Sequence, residues 1–137
     1  MFKIALLLAL VPATAFADKI YDDDKGGAWD CASDPVVDIN AGKGTYTFTG
    51  ACTEVNLNGA DVTLTAESID AINVNGASNT VVVGTAGAIN VTGDKNKVTW
   101  AKAKTGTKPK VAVVGTRNNI AKAKAKAPAK TKPPAKT

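Results

Sequence analysis

From Val55 to Ile120 apolar and polar residues alternate in short runs that return at a fixed interval. The runs read Val55-Asn56-Leu57-Asn58-Gly59, Ile72-Asn73-Val74-Asn75-Gly76, Ile89-Asn90-Val91-Thr92-Gly93 and Val111-Ala112-Val113-Val114-Gly115. Gly59, Gly76 and Gly93 are 17 residues apart, and Gly115 follows after 22, so the last copy carries a five-residue insertion. Period-two alternation is the pattern of a strand with one buried face. A second alternating pair follows each glycine: Val62/Leu64, Val81/Val83 and Val98/Trp100, then Ile120. A weaker third column, Cys52, Ile69 and Ala86, precedes each copy.

Three apolar columns at a constant period predict a chain wound in coils. No single coil can bury its own apolar face, but stacked coils share one core. The expected fold is all-β, a small parallel β-helix (β-solenoid) of four to five coils with about 17 residues per coil, followed by a disordered Lys/Ala/Pro tail. Val37-Asp38-Ile39 and Tyr46-Thr47-Phe48 supply an earlier, degenerate coil, so the solenoid is expected over residues 36–120. Each buried Val, Ile or Leu contributes roughly 1.5–3 kcal/mol. Gly59, Gly76, Gly93 and Gly115 are expected at corners that need positive φ. In the first copy Gly59 is followed by Asp61-Val62, read as one residue shorter, so its corner is expected to differ. Asn79, Asn96 and Asn118 each stand three residues after their glycine, which suits a structural ladder of stacked amides.

The flanks have other characters. Residues 1–17 read as a secretory signal: Lys3, an apolar run from Ile4 to Val11, and Ala15-Phe16-Ala17 as a small-x-small cleavage site. The run is too short to span a membrane, so no transmembrane span is expected in the mature chain. Residues 18–35 are acidic, with Asp22-Asp23-Asp24, and are expected to be an irregular N-terminal cap. They lack the ligand spacing of a calcium loop, and no metal or cofactor is expected. Cys31 and Cys52 are the only cysteines. In an exported chain such a pair forms a disulfide, here one that pins the N-terminal segment over the open end of the solenoid. Its loop contributes roughly 3 kcal/mol in the chain-entropy picture. A redox role would call for Cys-x-x-Cys spacing, which is absent.

Charge divides the chain. All twelve acidic residues lie at or before Asp94, and from Lys95 onward stand twelve Lys and one Arg. Residues 121–137 contain no apolar side chain larger than Ala or Pro, so they cannot offset their ordering entropy and are expected to be disordered. A block of like charge is usually an interaction tail. Lys122, Lys124, Lys126, Lys130, Lys132 and Lys136 are therefore candidate contacts to an anionic envelope polymer: lipopolysaccharide, cell wall or lipid headgroups. The aromatic residues that would stack on single-stranded bases are missing, so no specific nucleic acid is expected.

The chain has no His, no phosphate loop and no nucleophile motif, and no catalytic residue is assigned. Asp61, Glu67, Asp70 and Asp94 are the carboxylates that stacking brings nearest one another. The outward residues of the first strand, Asn56, Asn58, Asn73, Asn75, Asn90 and Thr92, form the other candidate face. Such a polar grid suits a glycan or ice surface, or else amides that merely pair between coils.

The copies Ile72-Asn-Val-Asn-Gly-Ala-Ser-Asn-Thr-Val and Ile89-Asn-Val-Thr-Gly-Asp-Lys-Asn-Lys-Val resemble the bacterial family called domain of unknown function 3060, over roughly Cys52 to Ile120. The resemblance implies a small exported envelope protein, periplasmic or secreted, without an assigned activity. The expectation is a non-enzymatic structural or binding module, with a glycan- or ice-binding solenoid as the alternative and an enzyme as the remote one.

Overall fold

The computed structural model describes residues 18–124; the expected signal segment (1–17) and most of the expected tail (125–137) lie outside the described residues. Nine strands follow in order: β1 Lys19–Tyr21, β2 Gly27–Asp30, β3 Val36–Ala41, β4 Gly44–Ala60, β5 Val62–Ala77, β6 Thr80–Asp94, β7 Lys97–Ala103, β8 Lys110–Thr116 and β9 Asn119–Lys122. Every pairing is parallel. The long strands β4, β5 and β6 each wrap around two corners and contribute to all three sides of a β-solenoid.

On the first face Lys19, Val37, Val55, Ile72, Ile89 and Val111 lie in register. On the second, Gly27, Tyr46, Leu64, Val81, Val98 and Ile120 do so. The third side stacks Cys52, Ile69, Ala86 and Ala103. Each of the first two columns has six members, so the solenoid has six coils rather than four or five. Successive first-face intervals, by subtraction, are 18, 18, 17, 17 and 22 residues.

The added coil is the acidic segment. Residues 18–35, expected to be an irregular cap, contain β1 and β2 and pair with β3 and β4. Lys19 stands where later coils place Val or Ile, and that charge hides the strand from an apolar count. At the other end the last strand runs to Lys122, two residues past the expected limit at Ile120.

The core is the three inward columns. Val37, Ile39, Tyr46, Val55, Leu57, Val62, Leu64, Ile69, Ile72, Val74, Val81, Ile89 and Val98 have no measurable exposure. The first copy is not short at its corner. Thr63 lies opposite Thr80 and Leu64 opposite Val81, so Val62 takes the ladder position of Asn79, to whose Oδ1 its N–H donates. A valine replaces the corner asparagine there, and the true second-face pair is Leu64/Ala66.

Gly76, Gly93 and Gly115 have the expected positive φ (134°, 133° and 119°), and Gly59 does not. The tight left-handed residues are Asp61, Ser78, Lys95 and Arg117, with φ of 55–57°, two positions after each glycine. The glycines also answer a second constraint. A Cβ on Gly76 would overlap the carbonyl oxygen of Gly59, and one on Gly93 that of Gly76. Gly59 has the same close neighbour, Ala41, without a left-handed φ. The column is therefore glycine because successive backbones nearly touch there and, at Gly76, Gly93 and Gly115, because φ is positive.

Beside it runs the buried Asn ladder. Asn96 Oδ1 accepts from the backbone N–H (3.1 Å) and Nδ2 (3.0 Å) of Asn79. Asn118 Oδ1 does the same for Asn96. The Nδ2 groups of Asn79, Asn96 and Asn118 each donate to the carbonyl of the glycine one coil below, at 2.9 Å. The last acceptor, Asn79 Oδ1, takes the N–H of Val62 at 3.0 Å.

The N-terminal end is closed by side chains. Tyr21 packs edge-on to Tyr46 at 5.1 Å and stacks on Phe48 at 6.2 Å. The Lys19 ammonium sits 4.9 Å over the Tyr21 ring and 4.8 Å over that of Trp29. Cys31 and Cys52 are disulfide-bonded, with Cα atoms 4.9 Å apart, and both are buried. The bridge joins the first coil to the second along the third side.

Replacing Asn96 with Ala removes four hydrogen bonds and strands a buried N–H. The expected loss is about 3 kcal/mol of unfolding free energy. Asn75→Ala, on the exposed side of the same coil stack, should cost under about 1 kcal/mol. Urea denaturation of the two variants checks the difference.

Candidate functional site

Three surfaces carry polar or charged chemistry. The first is the outward asparagine face. Asn56 Nδ2 donates to Asp38 (2.8 Å), Asn73 to Asn56 (2.8 Å) and Asn90 to Asn73 (2.9 Å). A parallel row runs from Asn75 to Asn58 and from Asn58 to Asn40, each at 3.0 Å. These amides are spent on one another, coil to coil. Sequence reasoning missed Asp38 and Asn40, the bases of the two rows, although Val37-Asp38-Ile39-Asn40 carries the same alternation. Above Asn90 and Thr92 stand Ala112 and Val114, which end both rows.

The second surface is the set of carboxylates, which the coils do not gather into a cluster with shared chemistry. Glu67 accepts the Gly50 N–H at 2.7 Å. Asp70 is ion-paired with Lys104. Asp94 accepts from Thr116 Oγ1 and from Arg117 Nε (3.0 Å) and Nη2 (2.6 Å). The Thr116 hydroxyl, with help from the Arg117 guanidinium, holds its carboxyl below the usual aspartate value. In the acidic first coil Asp24 Oδ1 accepts the Gly42 N–H at 2.7 Å and the Lys43 N–H at 3.2 Å, so part of that acidity fastens a turn.

The third surface is the C-terminal end of the solenoid. The five-residue insertion of the last copy falls in a loop of residues 104–109 between β7 and β8, with Pro109 turned inward and buried. With Trp100, Lys108, Lys110, Val111, Ile120 and Lys122 it lines a groove of about 500 Å³. Lys122, expected in the tail, is on β9 and opposite Trp100 in the ladder, its ammonium 5.7 Å over the indole. Lys124 is exposed just beyond. Lys126, Lys130, Lys132 and Lys136 lie outside the described residues.

A family model described as Protein of unknown function (DUF3060) matches residues 39–83 and 69–116. The chain belongs to the DUF3060 family. The matches cover the second to fifth coils and β8, and they leave out the first coil with Cys31, the outer strand β9 and the basic tail. Five of the seven groove residues, from Trp100 to Val111, are therefore within the family region, and Ile120 and Lys122 are outside it. Neither a curated protein nor a solved structure matches the chain.

The lowered pKa of Asp94 has a sign. A carboxyl whose folded pKa lies below its unfolded value adds stability at pH above the unfolded value and loses it as pH falls through the folded one. In an NMR titration the Asp94 carboxyl should have its midpoint below that of an ordinary aspartate. Thr116→Val and Arg117→Ala should each move it upward.

Proposed function

We propose that this protein is an exported, non-enzymatic binding module that holds an anionic envelope polymer at its C-terminal end. The observation that carries the reading is the convergence of Lys108, Lys110 and Lys122 on one groove floored by Trp100, Pro109, Val111 and Ile120. The Lys-rich segment continues from that same end, and the chain contains no acid after Asp94 to offset it. Cations beside a partly apolar floor favour phosphate or carboxylate groups carried on a larger, partly apolar body, such as a lipid headgroup or a phosphorylated glycolipid. The rest of the solenoid is then a stiff spacer with its acidic coil at the far end. Export is supported by the signal-like first 17 residues and by the disulfide. The asparagine face is the weaker candidate, because its amides already satisfy one another.

Vesicles of phosphatidylglycerol and of phosphatidylcholine provide the test, by co-sedimentation across a sodium chloride series. The intact protein should pellet with the anionic vesicles at low salt and release as salt shortens the screening length. A version ending at Lys124 should bind at least about tenfold more weakly, and one with Lys108, Lys110 and Lys122 changed to Gln should also lose affinity. Equal binding to both vesicle types, or binding indifferent to salt, would sink the proposal.

A further inference from the structure

The two ends of the solenoid are guarded unequally. A β-solenoid exposes the outer edges of its first and last coils, and an inward-pointing charge is a common way to protect such an edge. Lys19 stands in the first-face core column at the N-terminal end and covers Tyr21 and Trp29. Lys122 stands in the second-face column at the C-terminal end, over Trp100. Among the described residues, the first face of that end has no such guard. There β8 places Val111 and Val113 above Ile89 and Val91, which are buried, yet the two valines are 46% and 44% exposed. All seven residues of β8 are exposed, and among the described residues it pairs only with β6.

We propose that the outer edge of β8 receives an extended acidic segment of another protein, added as a seventh rung of the first face. Backbone pairing to Lys110–Thr116 would supply affinity, and alternate side chains would supply selectivity. The matching segment has apolar residues at two alternate positions, to cover Val111 and Val113. It has carboxylates at its ends, to meet Lys108 and Lys110 on one side and Lys95, beside Arg117, on the other. Charge decides against the chain's own continuation and against a second C-terminal end. The chain's own continuation brings Lys126, Lys130, Lys132 and Lys136 to an end that is already basic. Two C-terminal ends placed together would oppose the same lysines. Stacking the N-terminal end of a second copy on this end would bring acidic residues to it, but it would also lay the charged Lys19 on Val111 in the first-face column and carry Lys122 toward Trp29, where Lys19 already sits.

A synthetic nonapeptide tests this, with valines at two alternate central positions, threonine between them and glutamates at both ends. It is titrated into the protein with its tail intact, with amide shifts followed by NMR. Saturable shifts centred on Lys110–Thr116 are expected. The same peptide N-methylated at alternate amides, and one with lysines for the glutamates, should bind at least about tenfold more weakly. Val113→Lys, which installs on β8 the guard that the neighbouring edges carry, should weaken binding by a similar factor; the N-methylated peptide keeps the test decisive if that variant does not fold. Absence of saturable shifts on β8, or equal binding by the N-methylated peptide, overturns the proposal. So does a concentration-dependent oligomer that shifts the same amides without peptide, which assigns the edge to a second copy. Binding that emerges only after removal of residues 125–137 assigns it to the tail and overturns the proposal as well.

Discussion

Everything in this molecule depends on how closely one coil lies on the next. Parallel pairing sets coils about 4.8 Å apart, and at the column Gly59, Gly76, Gly93 and Gly115 the backbones approach until no Cβ fits between them. That contact brings the neighbouring asparagines within hydrogen-bond distance of both the coil above and the coil below. Asn96 satisfies two groups of Asn79, the Gly76 carbonyl and Asn118. A one-residue slip between coils would leave these buried amides unpaired and would also turn every inward Val or Ile outward. The ladder and the core columns therefore select the same register for different physical reasons.

Regular stacking leaves the problem of the two ends. At the N-terminus aromatic side chains, an inward lysine and a disulfide close the core. At the C-terminus Lys122 covers Trp100, but Val111 and Val113 stay open. Function is therefore sought at the C-terminal end, where exposed apolar surface, unpaired strand edge and positive charge coincide. The sides of the solenoid offer less. Their amides are paired with one another, and Glu67, Asp70 and Asp94 are each held by a specific donor.

Much of this was legible beforehand, and the misses have physical causes. The columns at Val55, Ile72 and Ile89, the third column at Cys52, the degenerate coil at Val37 and Tyr46, and the asparagine ladder all lie where their spacing placed them. The first coil was missed because Lys19 replaces an aliphatic residue in the column and because charge in residues 18–35 reads as solvated surface. Val62 was misaligned because an apolar residue at the Asn79 position looks like part of the next strand. Lys122 was counted with the tail because composition does not register that a lysine can point inward when an indole lies beneath it. The groove could not be foreseen, since Trp100, Pro109 and Lys122 are brought together only by the coil geometry.

The sequence by itself determined the fold class, the period, the inward columns, the disulfide partners and the polarity of charge along the chain. These are set by local alternation and by residue type at fixed spacing, which are one-dimensional quantities. Tertiary structure alone decided the number of coils, the close backbone approach along the glycine column, the pairing of the outward amides and the difference between the two ends. Those depend on which residue lies above which, and on whether a further coil covers it. A repeat cannot state where its own stack begins and stops, because its first and last copies differ from the rest through what is missing beside them.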